Sequence, residues 1–541
     1  MNRLSLVSLM LGLAACGGSP TSTNEPGTGS GGGSAAKPAA AGDVSFEVPA
    51  IKIDGVIFEP EALGRPGMPL VEAKKKTSLD KQRQTFLSAK DPVLKEAQAA
   101  ILATMLYQQS KTDAANEQAL LTEARQALRD AAANSGDKVD EITLRLLGSY
   151  ELILGDFAGA EKAWGTLVNK DPKTKEIQFN KAWWAYSLLR QSKNQEALAV
   201  VQNEKIEEKQ PELAYTAAWA KWRTGDDAGA WTALVLAAKG WGQLANREVI
   251  DRDIFLFASR SKNVSLAQAS PALFAVFNAK QPGQKYPILV KLGRDGYGFA
   301  GRWADAISAI DEAITTVGAT IPVDDAPKLR YTQVLYEARL DQPEQTAKYA
   351  DMAIKSMPAC GTKCKADELQ AIITNIYGTG RLFHVLYATA NDVRYYQPAH
   401  DIYLATTALI MDDAKRADAQ KDLAVLEATL KNTKAGTGTH DKGAIGALLQ
   451  QHNQEVQACY ETALASNPKI SGRVTLDLES NESGAITGAS TDPKGGLADL
   501  ALVAGCVTEQ AKSWKLPKRG SKGNTRIKLV YSLSPAKPAS K

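Results

Sequence analysis

The sequence is poor in the residues that most catalytic and metal sites require. Its 541 residues include only 4 His and 5 Cys, which leaves little material for His-based catalysis or for metal binding. The 64 Lys and Arg nearly balance the 60 Asp and Glu, and the net charge of +4 argues against a surface built mainly for nucleic acid. The chain has no run of 18 or more apolar residues, so a membrane-spanning helix is not expected.

Recognisable catalytic spacings are also missing. Neither His440 nor His452 has a Ser, a Cys or a paired carboxylate at motif distance. Gly296, Gly298 and Gly301 fit the pattern GxGxxG, but helical sequence rather than a strand precedes them, so a dinucleotide site is not predicted. The sequence therefore predicts no cofactor and no enzymatic activity. An enzyme acting on peptidoglycan or envelope protein is the least favoured alternative.

One group of cysteines leaves its chemistry open. Cys360 and Cys364 lie in a turn between two predicted helices, and His384 and His400 follow them along the chain. A local disulfide or two free thiols suit so short a loop, and zinc is the less favoured alternative.

The first residues have the pattern of a secretory signal. A positive start precedes an apolar stretch at residues 4–13, which is too short to span a bilayer. The stretch ends in Leu13-Ala14-Ala15-Cys16, which resembles the lipobox of bacterial lipoproteins. This resemblance implies a signal peptide at 1–15 and a lipid on Cys16. It also implies an outer-membrane location that faces the periplasm, because Gly17 follows. An ordinary secretory signal is the alternative.

Residues 16–42 are interpreted as the lipid anchor and a disordered linker. Residues 17–42 contain eight Gly and no aromatic residue, Val, Leu or Ile. Such a segment cannot bury enough apolar surface to offset its ordering entropy. Residues 43–78 alternate apolar and polar positions at Val44, Phe46 and Val48, which indicates an extended segment.

From residue 79 to 432 the composition and periodicity predict paired helices with short turns. One unit contains Leu147, Gly148, Gly155, Trp164 and Pro172 at spacings that resemble the tetratricopeptide (TPR) repeat. The resemblance implies an α-solenoid that presents a concave surface to partner segments.

An internal repeat supports this interpretation. Phe179, Trp183 and Tyr186 recur 36 residues later as aromatic residues. Most of the tryptophans between 164 and 241 are expected in the core of the helix pairs. Adjacent Trp183 and Trp184 cannot face the same stripe of a helix, so Trp184 is predicted to face a partner.

The last part of the chain predicts a small α+β domain. After a Gly/Thr-rich linker at 433–442, a domain at 443–534 has the element order α-β-β-α-β, and a tail follows at 535–541. The pieces Cys459-Tyr460, Asn467-Pro468 and Ser471-Gly472-Arg473-Val474 resemble the AgmX/PglI C-terminal domain. So do Cys506-Val507 and Trp514-Lys515-Leu516-Pro517. This TonB-C-like module was first named in gliding-motility proteins.

A small domain has a limited core, and an oxidising periplasm permits a covalent crosslink. We therefore expect a disulfide between Cys459 and Cys506, and two independent buried thiols are the alternative. Residues 469–541 also carry 12 Lys and Arg against 6 Asp and Glu. Lys515, Lys518 and Arg519 form a basic surface that is either simply solvated or in contact with an acidic partner, peptidoglycan or an anionic surface.

The sequence thus predicts a mainly α protein with a TPR-like α-solenoid and a small α+β domain. The expected function is a non-enzymatic envelope scaffold that binds envelope proteins or peptide segments and is attached to the membrane through Cys16. Its partners are not expected to include nucleic acid. The alternative that follows from the family resemblance is a component of a motility complex or of a TonB-like energy-transducing complex.

Overall fold

The computed structural model describes residues 43–536, apart from 62, 64–65, 73–76, 242–246, 391, 432–441, 495–497 and 520–521. The predicted signal peptide, Cys16 and the tether lie outside the described residues, as does nearly all of the predicted linker at 433–442. The described chain is mainly helical with one mixed sheet of five strands, as predicted at that level. Within it, no helix is long and apolar enough to cross a membrane.

The chain divides into two compact units. The helical unit comprises Ile57–Lys280 with Ala465–Pro468. The sheet unit comprises the described residues up to Val56, those within Gln281–Leu464 and those from Lys469 onward. Each unit therefore contains segments that are far apart in the sequence.

The helical unit is built from consecutive helices. They are α1 (Leu79–Ser88), α2 (Pro92–Ser110), α3 (Glu117–Ser135), α4 (Glu141–Ile153), α5 (Phe157–Lys170), α6 (Ile177–Leu189), α7 (Asn194–Val201), α8 (Pro211–Arg223), α9 (Asp227–Trp241), α10 (Arg247–Arg260) and α11 (Leu266–Val276), with a 3-10 turn at Gly136–Lys138. Aspartates cap several of these helices, as when Asp156 accepts the amide of Gly159 at 2.9 Å and so begins α5.

Small and large residues interlock between neighbouring helices. A Cβ atom at Gly148 of α4 would lie only 2.6 Å from the indole nitrogen of Trp164 on α5, so the glycine permits this close packing. The repeated aromatic residues also take the same arrangement twice. Trp183 meets Tyr186 edge to face at 5.7 Å, and Trp219 meets Trp222 edge to face at 5.3 Å.

The sheet unit combines further helices with all five strands. The helices are α12 (Pro282–Lys291), α13 (Trp303–Val317), α14 (Ala326–Arg339), α15 (Pro343–Cys360), α16 (Ala366–Ala390), α17 (Tyr396–Thr406), α18 (Asp413–Lys431), α19 (Lys442–Gln450), α20 (Asn453–Ser466) and α21 (Ala498–Ala511), with a π-helix at Leu292–Tyr297 and 3-10 turns at Gly318–Thr320, Gly361–Lys363, Val393–Tyr395 and Thr407–Leu409. The strands are β1 (Val44–Glu47), β2 (Ile51–Gly55), β3 (Gly472–Ser480), β4 (Ile486–Lys494) and β5 (Thr525–Pro535).

The strand β3 lies at the centre of the sheet and pairs antiparallel with both β4 and β5. The other side of β5 is covered by β1 and β2, which both run parallel to it. Val44 pairs with Thr525 and Ile51 pairs with Tyr531, so the two short strands follow one another along β5.

The sheet corrects two details expected from the sequence. The C-terminal segment alone predicts three strands, whereas two more come from residues 44–55. The order α-β-β-α-β predicts one helix before the first strand of this domain, but the chain turns at Gln451 and His452 and forms two, α19 and α20. The ring of His452 stacks on Trp514 with centroids 4.4 Å apart, which gives the break a packing reason.

Candidate partner-binding surfaces

Two disulfides lie in the sheet unit. Cys459 on α20 is bonded to Cys506 on α21, with Cα atoms 5.7 Å apart, as expected. Cys360 is bonded to Cys364, with Cα atoms 5.6 Å apart, so these two residues form a local disulfide. Within the described residues, no cluster of three or more His, Cys, Asp or Glu side chains has the geometry of a metal site.

Most tryptophans of the helical unit lie in its core, as predicted. Trp164, Trp183 and Trp219 are almost completely buried. The side chain of Trp184 is only half-buried and covers Gly165 of α5, where a Cβ atom would lie 3.1 Å from the indole. Trp184 thus packs against α5 and remains partly exposed.

The predicted basic surface is smaller than the sequence suggests. Lys515 and Lys518 are exposed. Arg519 is 6% exposed, and its guanidinium donates to the carbonyl of Asn524 at 3.1 Å. Arg519 therefore does not contribute to the exposed surface, because its guanidinium is buried against the carbonyl of Asn524.

The two outer strands of the sheet differ in what covers them. One side of β5 is filled by β1 and β2, while in the described part of the chain β4 has a strand partner only on its β3 side. Residues 486–491 of β4 carry no charge, although edge strands are commonly protected by charged side chains. Lys515 pairs with Ala485, directly before β4, so an exposed cation lies at the beginning of this strand.

A buried carboxylate connects α20 with the rest of the sheet unit. Glu455 is 8% exposed and accepts the indole N–H of Trp303 at 2.9 Å and that of Trp514 at 2.6 Å. The Nδ1 atom of His452 lies 3.1 Å from the same carboxylate. The guanidinium of Arg339 stacks on Trp303 at 4.4 Å. Burial lowers the pKa of Arg339, and the charge of Glu455 opposes that shift.

The glycines of the GxGxxG pattern serve this packing. Gly301 has a φ of +72° and faces α20, where a Cβ atom would lie 2.6 Å from the side chain of Glu455. A side chain at Gly298 would collide with the hydroxyl of Tyr336. The pattern therefore has a structural explanation in helix packing, and it follows a helix rather than a strand.

The loop after α21 is also fixed to the helices of the sheet unit. The amide of Lys518 donates to Asp392 at 2.9 Å, and the same carboxylate pairs with Arg394 at 2.7 Å. Burial alone would raise the pKa of Asp392, but the bonds from Arg394 and Lys518 lower it below its ordinary value. Lys518 thus contributes its backbone to the structure and leaves its ammonium group at the surface.

Sequence reasoning missed the most connected residues of these surfaces. Glu455 resembles any exposed glutamate on an amphipathic helix, and the available signal was its i, i+3 spacing from His452. No model of a known protein family matches this chain, and a search of curated proteins returns no match.

Proposed function

We propose that this protein is a non-enzymatic, lipid-anchored scaffold of the bacterial envelope that holds extended segments of partner proteins. The TPR-like helices and the TonB-C-like domain would each bind a partner, while Cys16 would attach the chain to the outer membrane on its periplasmic side. The observation that carries the proposal is that β4, within the described residues, pairs with another strand only on its β3 side, although α21 packs against it.

Strand addition needs unpaired backbone groups along an edge, because main-chain hydrogen bonds supply most of the affinity. The other side of this sheet already accepts extended chain in this way, since β1 and β2 pair with β5. The uncharged residues 486–491 offer the same opportunity on β4. A partner segment added there would end beside the exposed Lys515, which favours a segment with a carboxylate at that end.

The proposal can be tested by cross-linking in intact cells, followed by mass spectrometry of the partners that β4 captures. Thr487 and Ser490 are exposed positions on β4, and a lysine at both would protect the edge with charge. We expect the Thr487→Lys/Ser490→Lys variant to lose about tenfold or more of the cross-linked partner. Glu482→Lys is the matched control, because Glu482 is exposed in the preceding turn and lies outside the strand.

Equal cross-linking of the double variant and the wild-type protein would reject the β4 edge as a binding site. Turnover of peptidoglycan or protein by the purified chain would reject the scaffold proposal itself. The Trp184→Ala variant tests the helical unit separately, because Trp184 is only partly buried. Unchanged partner capture by this variant would remove Trp184 from the binding surface.

A further inference from the structure

A buried arginine of the helical unit binds a segment from the beginning of the described chain. Arg223 of α8 is 6% exposed, and its Nη2 atom donates to the carbonyl of Phe58 at 3.1 Å and to the carboxylate of Glu59 at 3.1 Å. Its Nη1 atom donates to the carbonyl of Leu189 at 2.8 Å. Burial lowers the pKa of Arg223, and the charge of Glu59 opposes that shift. A buried cation of this kind depends on an anionic partner.

Two further arginines contact the same short segment. Arg252 of α10 donates to the carbonyl of Glu59 at 2.9 Å and to the carboxylate of Glu61 at 3.2 Å. Arg190, which follows α6, lies 3.8 Å from the carboxylate of Glu59. Its guanidinium also stacks on Phe157 at 4.5 Å, which fixes its position. We call Arg190, Arg223 and Arg252 the arginine row.

The arginine row contacts both the backbone and the side chains of this segment. Two carbonyls, those of Phe58 and Glu59, and two carboxylates, those of Glu59 and Glu61, receive guanidinium groups. Pro60 is buried between the two glutamates. Planar guanidinium groups bind carboxylates with defined geometry, so this set of contacts is selective for an extended acidic segment.

Arg190 follows α6 and Arg223 ends α8, the first helices of two successive pairs, since α6 packs on α7 and α8 packs on α9. Arg252 lies on α10, the next helix, which packs on α9. This is the arrangement in which a helical array binds a peptide across several repeats. We infer that the arginine row is a binding site for an extended acidic peptide with carboxylates two residues apart. Glu59-Pro60-Glu61 is its intramolecular occupant, and a partner peptide of the same chemistry displaces it. This inference rests on the proposed scaffold function and names the class of partner for the helical unit.

An occupant in the same chain competes strongly, because its attachment to the folded unit gives it an effective concentration of up to about millimolar. The free protein therefore keeps its arginine row covered. Only a partner that is abundant, multivalent or held nearby displaces the segment. The charges also make the exchange sensitive to salt, because ions screen the partly exposed Arg190 and Arg252.

The test measures binding of a fluorescein-labelled synthetic peptide of residues 55–66 by fluorescence polarisation. The receptor is the full chain with residues 57–61 replaced by Gly-Ser-Gly-Ser-Gly, which uncovers the arginine row. We expect this variant to bind the peptide about tenfold or more tightly than the wild-type chain, in which the site is occupied. A peptide with Glu59→Gln and Glu61→Gln should bind about tenfold more weakly than the acidic peptide.

Two substitutions in the uncovered chain serve as a matched pair. Arg252→Gln should weaken peptide binding about fivefold, because it removes contacts to Glu59 and Glu61. Lys221→Gln should leave binding unchanged, because Lys221 lies on α8 but pairs with Asp226 at 2.9 Å. If the folded variant binds the acidic and amide peptides equally, or binds neither, the inference is wrong.

If the variant with residues 57–61 replaced does not fold, the inference can be tested on the wild-type chain instead. Saturating acidic peptide should then raise the hydrogen exchange of residues 57–61, and unchanged exchange would overturn the inference. Either failure is distinguishable from failure of the scaffold proposal, which is tested at β4 by cross-linking and does not depend on the arginine row.

Discussion

Residues 44–55 and residues 57–61 are neighbours in the sequence but are bound in different ways. The first group pairs through its backbone. The amide of Val44 donates to the carbonyl of Asn524 at 3.0 Å, and the amide of Val48 donates to the carbonyl of Lys528 at 2.9 Å. The second group is held by side chains, since guanidinium groups reach the carbonyls and carboxylates of Phe58, Glu59 and Glu61.

The two kinds of contact differ in how strictly they select the sequence of the segment that they bind. A parallel strand pair accepts most sequences that alternate apolar and polar residues, because its hydrogen bonds come from the main chain. A row of arginines accepts only segments that supply anions at the right spacing. The two sites therefore respond to different perturbations, and four predictions follow from that contrast, beginning with the largest expected effect.

Removal of the disulfide between Cys459 and Cys506 should loosen the strand-paired segment alone. The bond closes an interval of 47 residues, for which loop entropy gives about 4 kcal/mol of the free energy of unfolding. The Cys459→Ser/Cys506→Ser variant should lose that stability in urea unfolding, and residues 44–55 should exchange hydrogen faster. Residues 57–61 should keep their exchange rate. Equal acceleration in both groups would contradict the contrast. Cys360→Ser/Cys364→Ser is the short-loop control.

Loss of Arg223 should release residues 57–61 and leave residues 44–55 paired. Arg223→Gln removes a buried guanidinium and leaves Glu59 and two carbonyls without it, so we expect a loss of about 3 kcal/mol from the free energy of unfolding. Lys221→Gln on the same helix breaks a partly exposed pair with Asp226 and should cost less than about 1 kcal/mol. Faster hydrogen exchange at residues 44–55 in Arg223→Gln would show that the two segments are not independent.

A change of pH should act on the arginine row through Asp253. This buried carboxylate accepts two hydrogen bonds, one from the hydroxyl of Tyr215 at 2.7 Å and one from the Nε–H group of Arg252 at 2.7 Å. Burial raises its pKa to about 6, against the opposing charge of Arg252. Because the folded-state pKa lies above the unfolded one, the free energy of unfolding should increase by about 1 kcal/mol between pH 7 and pH 5. The measurement is urea unfolding at both pH values.

Asp253→Asn is the control for this pH effect, because its amide does not titrate. The variant should lose the increase between pH 7 and pH 5 that the wild-type chain has. An undiminished increase in the variant would assign the effect to another group. The amides of the strand-paired residues 44–55 should be equally protected from hydrogen exchange at both pH values, once the pH dependence of the exchange chemistry itself is corrected for.

A proline at position 44 should detach β1 from β5 with the smallest loss in the free energy of unfolding. Val44→Pro removes the N–H that donates to Asn524, which should reduce the free energy of unfolding by about 1 kcal/mol. Val44→Thr keeps this N–H and should have almost no effect on the strand. Limited proteolysis within residues 44–55 measures the difference. Equal cleavage of the two variants would mean that side chains, rather than the backbone, hold β1.

Local features of this fold could be predicted from the sequence, and distant ones could not. The recurrence of Trp183 and Tyr186 at a fixed spacing predicted packed helix pairs, because each pair forms contacts between neighbouring residues. The partner of β1 had no such signal, since Asp43 and Asn524 are 481 residues apart. The arginine row was missed for the same reason. Arg190, Arg223 and Arg252 are unremarkable charged positions until residues 57–61 lie beside them.

The pairing of β1 and β2 with β5 also has a consequence for the order of synthesis. A ribosome completes residues 44–55 long before residues 525–535, so the early strands wait without a partner while most of the chain is made. A chain that stops short of β5 would leave them unpaired and open to proteases. Pairing of the two early strands thus depends on residues 525–535, which follow them by more than 450 residues.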